Sequence, residues 1–136
     1  MRKIADAIRK NDVPAYQQAR YPLVPDGEPL VFQDEDFSGV NFEGFSLGFS
    51  EFHYCNLDDA EHLHGQPITF EDTTARRIDL RGVSMILRAT NSNFEGMLYD
   101  ENTRLSYDDT TFSQFKDCTV DDDTKQYFTE RGVEFS

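Results

Sequence analysis

The sequence predicts an all-β solenoid, in which the backbone winds into stacked coils and turns a corner every five residues. Its first sign is a large apolar residue at every fifth position for six consecutive repeats, at Phe32, Phe37, Phe42, Leu47, Phe52 and Leu57. A helix would scatter side chains five residues apart around its axis, and a flat strand would put successive ones on opposite faces. Its second sign is a mostly small or apolar series two residues earlier, at Leu30, Glu35, Val40, Phe45, Ser50 and Cys55. The other positions are largely polar, so about two residues in five are expected to point inward.

Three blocks in this region share one five-residue unit: Glu35-Asp36-Phe37-Ser38-Gly39, Val40-Asn41-Phe42-Glu43-Gly44 and Cys55-Asn56-Leu57-Asp58-Asp59. They resemble the pentapeptide-repeat family, whose unit is a small residue, Asp or Asn, a central Leu or Phe, and two polar residues. The resemblance covers residues 30–101 and implies a right-handed quadrilateral β-helix with four sides per coil. It therefore predicts a short β-helix of about three coils, a rod about 15 Å long at the usual strand spacing.

Some residues depart from this unit. Glu35 and Arg88 occupy positions that should be small, Thr90 occupies a central position, and Phe94 comes one residue early. We expect a distorted coil or a shifted register near them.

Because the end coils of a solenoid need covering, small helical caps are expected at both ends. Residues 1–29 are interpreted as an N-terminal cap and a proline-containing linker. The β-helix follows at 30–101, with an outward loop at 60–67, and residues 102–136 form a C-terminal cap. Three short helices are expected: within 2–10, across Pro14–Ala19 with Asp12 as its N-cap, and across Thr124–Arg131 with Gly132 at its end.

Composition and net charge limit the classes of function that the chain can have. The 136 residues make about one domain, and 26 acidic against 13 basic residues leave a net charge of −13. This charge argues against direct binding of nucleic acid through its phosphates. No apolar run approaches the roughly 18 residues of a membrane span, and Met1–Lys10 lacks the apolar stretch of a secretory signal, so a cytoplasmic protein is expected. Cys55 and Cys118 are expected to be free thiols.

Signatures of catalysis and of cofactor binding are not found. There is no G-x-S-x-G elbow and no glycine-rich phosphate loop, so the chain is predicted not to be an enzyme and to need no cofactor. His62 and His64, with Glu61 nearby, lack a third ligand at a defined spacing, so no metal site is predicted.

Charge is distributed unevenly along the chain. Residues 21–75 contain twelve acidic residues and no Lys or Arg, whereas Arg76, Arg77 and Arg81 form a basic cluster just after them. The cluster pairs with the neighbouring acidic coil or anchors a carboxylate or phosphate of a partner. The acidic stretch and the loop containing His62 predict a partner-binding surface made of Asp34, Asp36, Glu43, Glu51, Asp58, Asp59, Glu61, His62, Glu71 and Asp72.

The predicted function is a non-enzymatic binding module that neutralises a basic, nucleic-acid-acting protein. Small size, uneven charge and the lack of catalytic groups favour an immunity-type inhibitor of a bacterial nuclease toxin. The resemblance implies an alternative, because the best understood members of the family are acidic rods that imitate duplex DNA and protect or inhibit DNA gyrase and topoisomerase IV. Three coils make a short rod, which places that alternative second. A structural adaptor with no DNA-related partner also fits, and apolar residues in 124–135 suggest a homodimer contact.

Overall fold

The computed structural model describes residues 2–23, 29–65, 67–106 and 111–136. Within these ranges six strands stack in chain order into one parallel sheet, and each strand pairs with the next along the chain. This arrangement confirms the β-solenoid. The strands are β1 Leu30–Gln33, β2 Ser50–His53, β3 Ile68–Glu71, β4 Leu87–Thr90, β5 Gln114–Lys116 and β6 Glu134–Phe135. We number the coils 1 to 5 by the strands β1 to β5 that begin them.

We call the sheet the first side of the solenoid. Each coil has further sides beyond it. On these sides, single parallel bridges join equivalent residues of successive coils. The second side contains the column Asp36, Asn56, Thr74, Asn93 and Thr119; the third contains Asn41, Glu61, Asp79 and Leu98; the fourth contains Ser84 and Arg104.

The predicted inward positions form the core. The six central residues at Phe32, Phe37, Phe42, Leu47, Phe52 and Leu57 are each at most 1% exposed. Aromatic rings continue along the rod axis, since Phe70 lies 5.4 Å from Phe52 and Phe94 lies 5.5 Å from Phe70, measured between ring centroids. The predicted inward register is therefore confirmed over residues 32–57.

The Asp or Asn of the repeat has a local structural task. Oδ1 of Asp36, Asn41, Asn56, Asp79 and Asn93 each accepts a hydrogen bond from the backbone N–H two residues later. Such a bond holds the chain in the turn that ends each side. This explains why a short polar side chain recurs one residue before the central position.

A pair of helices covers coil 1, as predicted. Helix α1 spans Arg2–Arg9 and α2 spans Val13–Leu23, and Oδ1 of Asp12 accepts a hydrogen bond from Ala15 N–H at the start of α2. Arg9 forms an ion pair with Glu35, which explains how an acid is tolerated at an inward position. The predicted linker falls mainly on residues 24–28, outside the described residues.

The coils continue beyond the predicted three. Strands β5 and β6 extend the sheet, and helix α3, Asp122–Thr129, is inserted between them. Phe135 of β6 stacks on Phe115 of β5, with ring centroids 4.9 Å apart. The repeat pattern missed these coils because few central apolar residues mark them. Within the predicted dimer segment, Phe128 and Val133 are buried in their own chain, and the homodimer stays a prediction.

Two irregular coils account for the departures in the sequence pattern. Where coil 3 passes into coil 4, Met85, Ile86 and Leu87 are all buried, and the next inward residue is Ala89, which leaves Arg88 and Thr90 exposed. In coil 2, residues 60–65 follow the coil rather than bulging from it: Glu61 bridges to both neighbouring coils, and Leu63 is fully buried. His62 adopts a left-handed conformation, with φ of 55°, which turns Leu63 inward.

Candidate protein-interaction surface

A column of left-handed residues marks the corner where the sheet ends. This corner column contains Asp34, Tyr54, Asp72, Asn91 and Asp117, each directly after a strand, with φ between 49° and 56°. Asp and Asn tolerate this conformation better than most residues with a side chain. Because coils stack at about 4.8 Å, the column sets Asp34, Asp72 and Asp117 at steps of about 10 Å along the rod. All three aspartates are exposed.

A histidine joins two predicted contact residues on the outer surface of the sheet. Nε2 of His53 is 2.9 Å from Oε1 of Glu51, and its Nδ1 is 3.1 Å from Oε2 of Glu71 in the next coil. A neutral imidazole carries one N–H, so it donates to one carboxylate at a time, whereas the imidazolium donates to both. Glu51 and Glu71 therefore form one negatively charged group with His53 at its centre.

On the second side, two predicted contact residues are engaged within the chain. Asp58 and Asp59 each pair with an arginine of the next coil, at 2.7 Å to Arg76 and 2.8 Å to Arg77. Burial raises the pKa of Asp58, but hydrogen bonds from Arg76 outweigh it and hold the pKa below the ordinary value. The hydrogen bond from Arg77 likewise lowers the pKa of Asp59. Both aspartates are therefore engaged in ion pairs within the chain.

Asp36 lies on the same second side, in coil 1, and is exposed. The hydrogen bond from Ser38 N–H lowers the pKa of its carboxyl, so Asp36 carries its negative charge at neutral pH. It lies two residues after Asp34 of the corner column.

The third side carries the remaining predicted contact residues, Glu43, Glu61 and His62. Nδ1 of His62 lies 3.0 Å from Oδ1 of Asn41 in coil 1. Glu61 and His62 line a cavity of about 350 Å³ together with Asp79 and Arg81. Arg81 forms an ion pair with Asp79 at 2.8 Å, and its hydrogen bond lowers the pKa of Asp79. Glu61 beside them forms no ion pair with any residue that the structure describes.

The ten predicted contact residues therefore lie around the rod and do not form one face. Sequence reasoning missed three members of the corner column, Tyr54, Asn91 and Asp117, because they carry no motif of their own. A usable signal was their position: each comes two residues after a central residue of the sheet side, where Asp34 and Asp72 also stand.

The basic cluster is used within the chain. Arg76 and Arg77 pair with the neighbouring acidic coil, as one of the two predicted interpretations has it, and Arg81 pairs with Asp79 of its own coil. Asp34, Asp72 and Asp117 of the corner column form no ion pair within the described residues, and Lys116, directly before Asp117 in the chain, is a basic neighbour of the column.

The described residues contain neither a metal-type cluster nor a membrane-spanning helix. No group of three or more His, Cys, Asp or Glu side chains among them is arranged to hold a metal ion. Likewise, no helix within the described ranges has both the length and the apolar character needed to cross a bilayer.

Comparison with known proteins gives a structural likeness. The sequence matches no protein-family model and no curated protein. A solved structure of a trypsin-treated variant of QnrB1, a plasmid-mediated fluoroquinolone resistance protein, matches 68% of this chain and 68% of its own, with 18% identity and a TM-score of 0.27. At this identity and TM-score, no residue role or partner passes from QnrB1 to this chain. Membership of the pentapeptide-repeat family stays a prediction.

Proposed function

We propose that this chain is a non-enzymatic, acidic protein-binding module that occupies the nucleic-acid site of a basic cytoplasmic protein. The observation that supports this function is the corner column. Asp34, Asp72 and Asp117 are exposed and form no ion pair within the described residues, whereas the arginines of the basic cluster are paired internally. The solenoid therefore presents exposed carboxylates that form no ion pair within the described residues, at regular steps along a rigid edge.

The amount of charge suits imitation of a DNA duplex. Five coils, counted between the six strands, make a rod about 24 Å long at the usual strand spacing. A duplex of that length carries about 14 phosphate charges, at roughly one per 1.7 Å. The net charge of the chain is −13, which is similar. A protein that grips duplex DNA would therefore meet a comparable charge density.

This length changes the order of the candidate partners. The sequence alone places a type II topoisomerase second, because about three coils are too short for a duplex mimic. With five coils that objection weakens, so DNA gyrase or topoisomerase IV is our first candidate partner.

An immunity-type inhibitor of a nuclease toxin is the second candidate. Strong net charge accelerates association with a basic partner of any kind, and such a partner needs no rod of a particular length. The cavity on the third side, with Glu61 and His62 at its edge, offers that partner a contact away from the corner column.

Competition with DNA tests the first candidate. The purified protein is titrated into gyrase or topoisomerase IV holding a short fluorescent duplex, at low and at high salt. We expect the protein to displace the duplex at low salt. At high salt this displacement should disappear, because exposed charges are screened. The triple variant Asp34→Asn, Asp72→Asn, Asp117→Asn should displace about tenfold more weakly, since asparagine keeps the left-handed turns but removes three charges.

The matched control removes the same charge from the third side and the turn that follows it. In Glu43→Gln, Glu61→Gln, Glu101→Gln, all three residues are exposed, and displacement should stay near that of the unmodified protein. Inhibition of a panel of basic nuclease domains, without displacement of duplex from either topoisomerase, would favour the second candidate. If neither enzyme class responds, the proposed function is wrong and an adaptor role replaces it.

A further inference from the structure

Tyr54 is the exception in the corner column. The other four members are Asp or Asn, whereas a bulky aromatic residue with φ of 53° occupies an unfavourable backbone conformation. Its side chain is 61% exposed, the largest value among the large apolar residues described. Within the described structure its ring makes no aromatic contact and its hydroxyl no hydrogen bond. Neither packing nor hydrogen bonding among the described residues therefore explains a tyrosine here.

The neighbours of Tyr54 are acidic. Asp34 precedes it by one coil in the column and Asp72 follows it by one coil, each about 4.8 Å away along the rod axis. Beyond Asp72 the surface forms an open cavity of about 400 Å³ that extends to Asp117. Its lining is otherwise hydroxyl and amide side chains: Thr73, Thr74, Asn91, Ser92, Asn93 and Thr119. An exposed ring thus stands at one end of a polar groove with a carboxylate at each end.

We infer that Tyr54 is the anchor for an arginine side chain of the basic partner, presented by an extended segment that lies along this groove. The inference rests on the proposed function, since it names the residue at which the partner is held. A guanidinium stacks on the ring of Tyr54 and forms hydrogen bonds with Asp72, because its planar fork suits both an aromatic face and a carboxylate. Buried aromatic and arginine side chains are the residues on which interfaces most depend.

The spacing of the groove limits the partner segment. Asp72 and Asp117 are two coils apart, or about 10 Å along the rod. In an extended segment of polyproline II geometry, which has three residues per turn, residues three positions apart lie on the same face and are separated by about 9 Å. The recognised segment is therefore a pair of arginines with two residues between them.

The test uses a short peptide as the probe. Blocked Gly-Arg-Ala-Ala-Arg-Gly is titrated into isotopically labelled protein at low salt, and backbone amide shifts are followed. We expect the largest shifts at Asp34, Tyr54, Asp72 and Asp117, and at least threefold tighter binding than for the peptide with lysine in place of both arginines. The peptide with glutamine at both positions should not bind.

The variant Tyr54→Asn separates the role of the ring from folding. Asparagine suits the left-handed position, so we expect an unchanged or higher melting temperature together with at least threefold weaker binding of the arginine peptide. Leu98→Asn is the matched control, because Leu98 is 43% exposed on the third side, at the repeat position where Asn41 stands in coil 1. Its peptide affinity should equal that of the unmodified protein.

The outcomes distinguish failure of the arginine anchor at Tyr54 from failure of the proposed function. Equal peptide affinity for Tyr54→Asn and the unmodified protein, or shifts centred on another side, would overturn the anchor. The same holds if the arginine peptide does not bind at all. In each of these cases, displacement of duplex from gyrase or topoisomerase IV would leave the proposed function standing. Conversely, peptide binding at the column without such displacement supports the arginine site and rejects the topoisomerase as its partner.

Discussion

The carboxylate of Asp58 and the guanidinium of Arg76 tie coil 2 to coil 3. Oδ2 of Asp58 accepts hydrogen bonds from Nε and Nη2 of Arg76, at 3.0 and 2.7 Å, and Oδ1 accepts one from the backbone N–H of Arg76 at 2.7 Å. Asp58 is 5% exposed. Charge-assisted hydrogen bonds of this kind are short and strong, so Asp58 serves the stability of the solenoid and is poorly placed to contact a partner.

Replacing Asp58 should therefore destabilise the solenoid. Asp58→Ala leaves the backbone N–H of Arg76 without its acceptor, and we expect the free energy of unfolding in urea to fall by about 1–3 kcal/mol. The adjacent Asp59→Ala is the control, because the pair of Asp59 with Arg77 is exposed and should matter much less. Equal losses for the two variants would contradict this assignment.

The free energy of unfolding should fall at low pH, partly because Asp58 becomes protonated. Burial raises the pKa of Asp58 but the hydrogen bonds from Arg76 hold it below the ordinary value. A carboxyl whose folded-state pKa is lowered contributes stability that is complete above its unfolded-state pKa, about 4, and is lost as pH falls through the folded-state pKa. Urea unfolding from neutral pH down to about pH 2.5 should show a flatter decline for Asp58→Asn than for the unmodified protein. Parallel curves would mean that Asp58 is not a source of the acid sensitivity.

The sequence predicted the fold well where central residues are large and regularly spaced. From Phe32 to Leu57 each step of five lands on a buried side chain. The prediction lost the register at Met85, Ile86 and Leu87, because three consecutive apolar residues are all buried and the pattern cannot tell which one is central. The prediction also failed to include the last coils, since α3 interrupts coil 5 and β6 is only two residues long.

The surface was harder to predict than the fold. Asp58 and Arg76 are 18 residues apart, and their pairing depends on the length of coil 2, which is shorter than four full repeats. Because the sequence alone does not reveal the length of coil 2, it predicts Asp58 to be an unpaired acid on the surface. The corner column depends on backbone angles, which no single residue type reveals when a tyrosine shares the position with aspartates.

The aromatic core should be sensitive to loss of one ring. Phe52 is fully buried, and its ring lies 5.1 Å from Phe32 and 5.4 Å from Phe70 between centroids. Phe52→Ala removes contacts with two coils at once, and we expect a loss of about 3–5 kcal/mol in urea unfolding. Phe49→Ala serves as the control, since Phe49 is 49% exposed and should change stability little. A negligible effect at Phe52 would show that the inward register is wrong.

The N-terminal helices should depend on Tyr16 for their attachment to coil 1. Its ring packs edge-on against Phe45 at 5.1 Å, its hydroxyl donates a hydrogen bond to the carbonyl of Ser46 at 2.6 Å, and it is 1% exposed. Tyr16→Ala removes both contacts, so α1 and α2 should open more often while β3 and β4 keep their protection.

Hydrogen exchange measures this local opening. If the lost contacts are worth about 2–3 kcal/mol, amides of α1 and α2 should exchange on the order of 100-fold faster in Tyr16→Ala. Gln17→Ala, an exposed change on the same helix, should leave exchange unaltered. Faster exchange spread evenly over the helices and the sheet would instead show that the helices and the solenoid unfold as one cooperative unit, because global opening exposes every amide together.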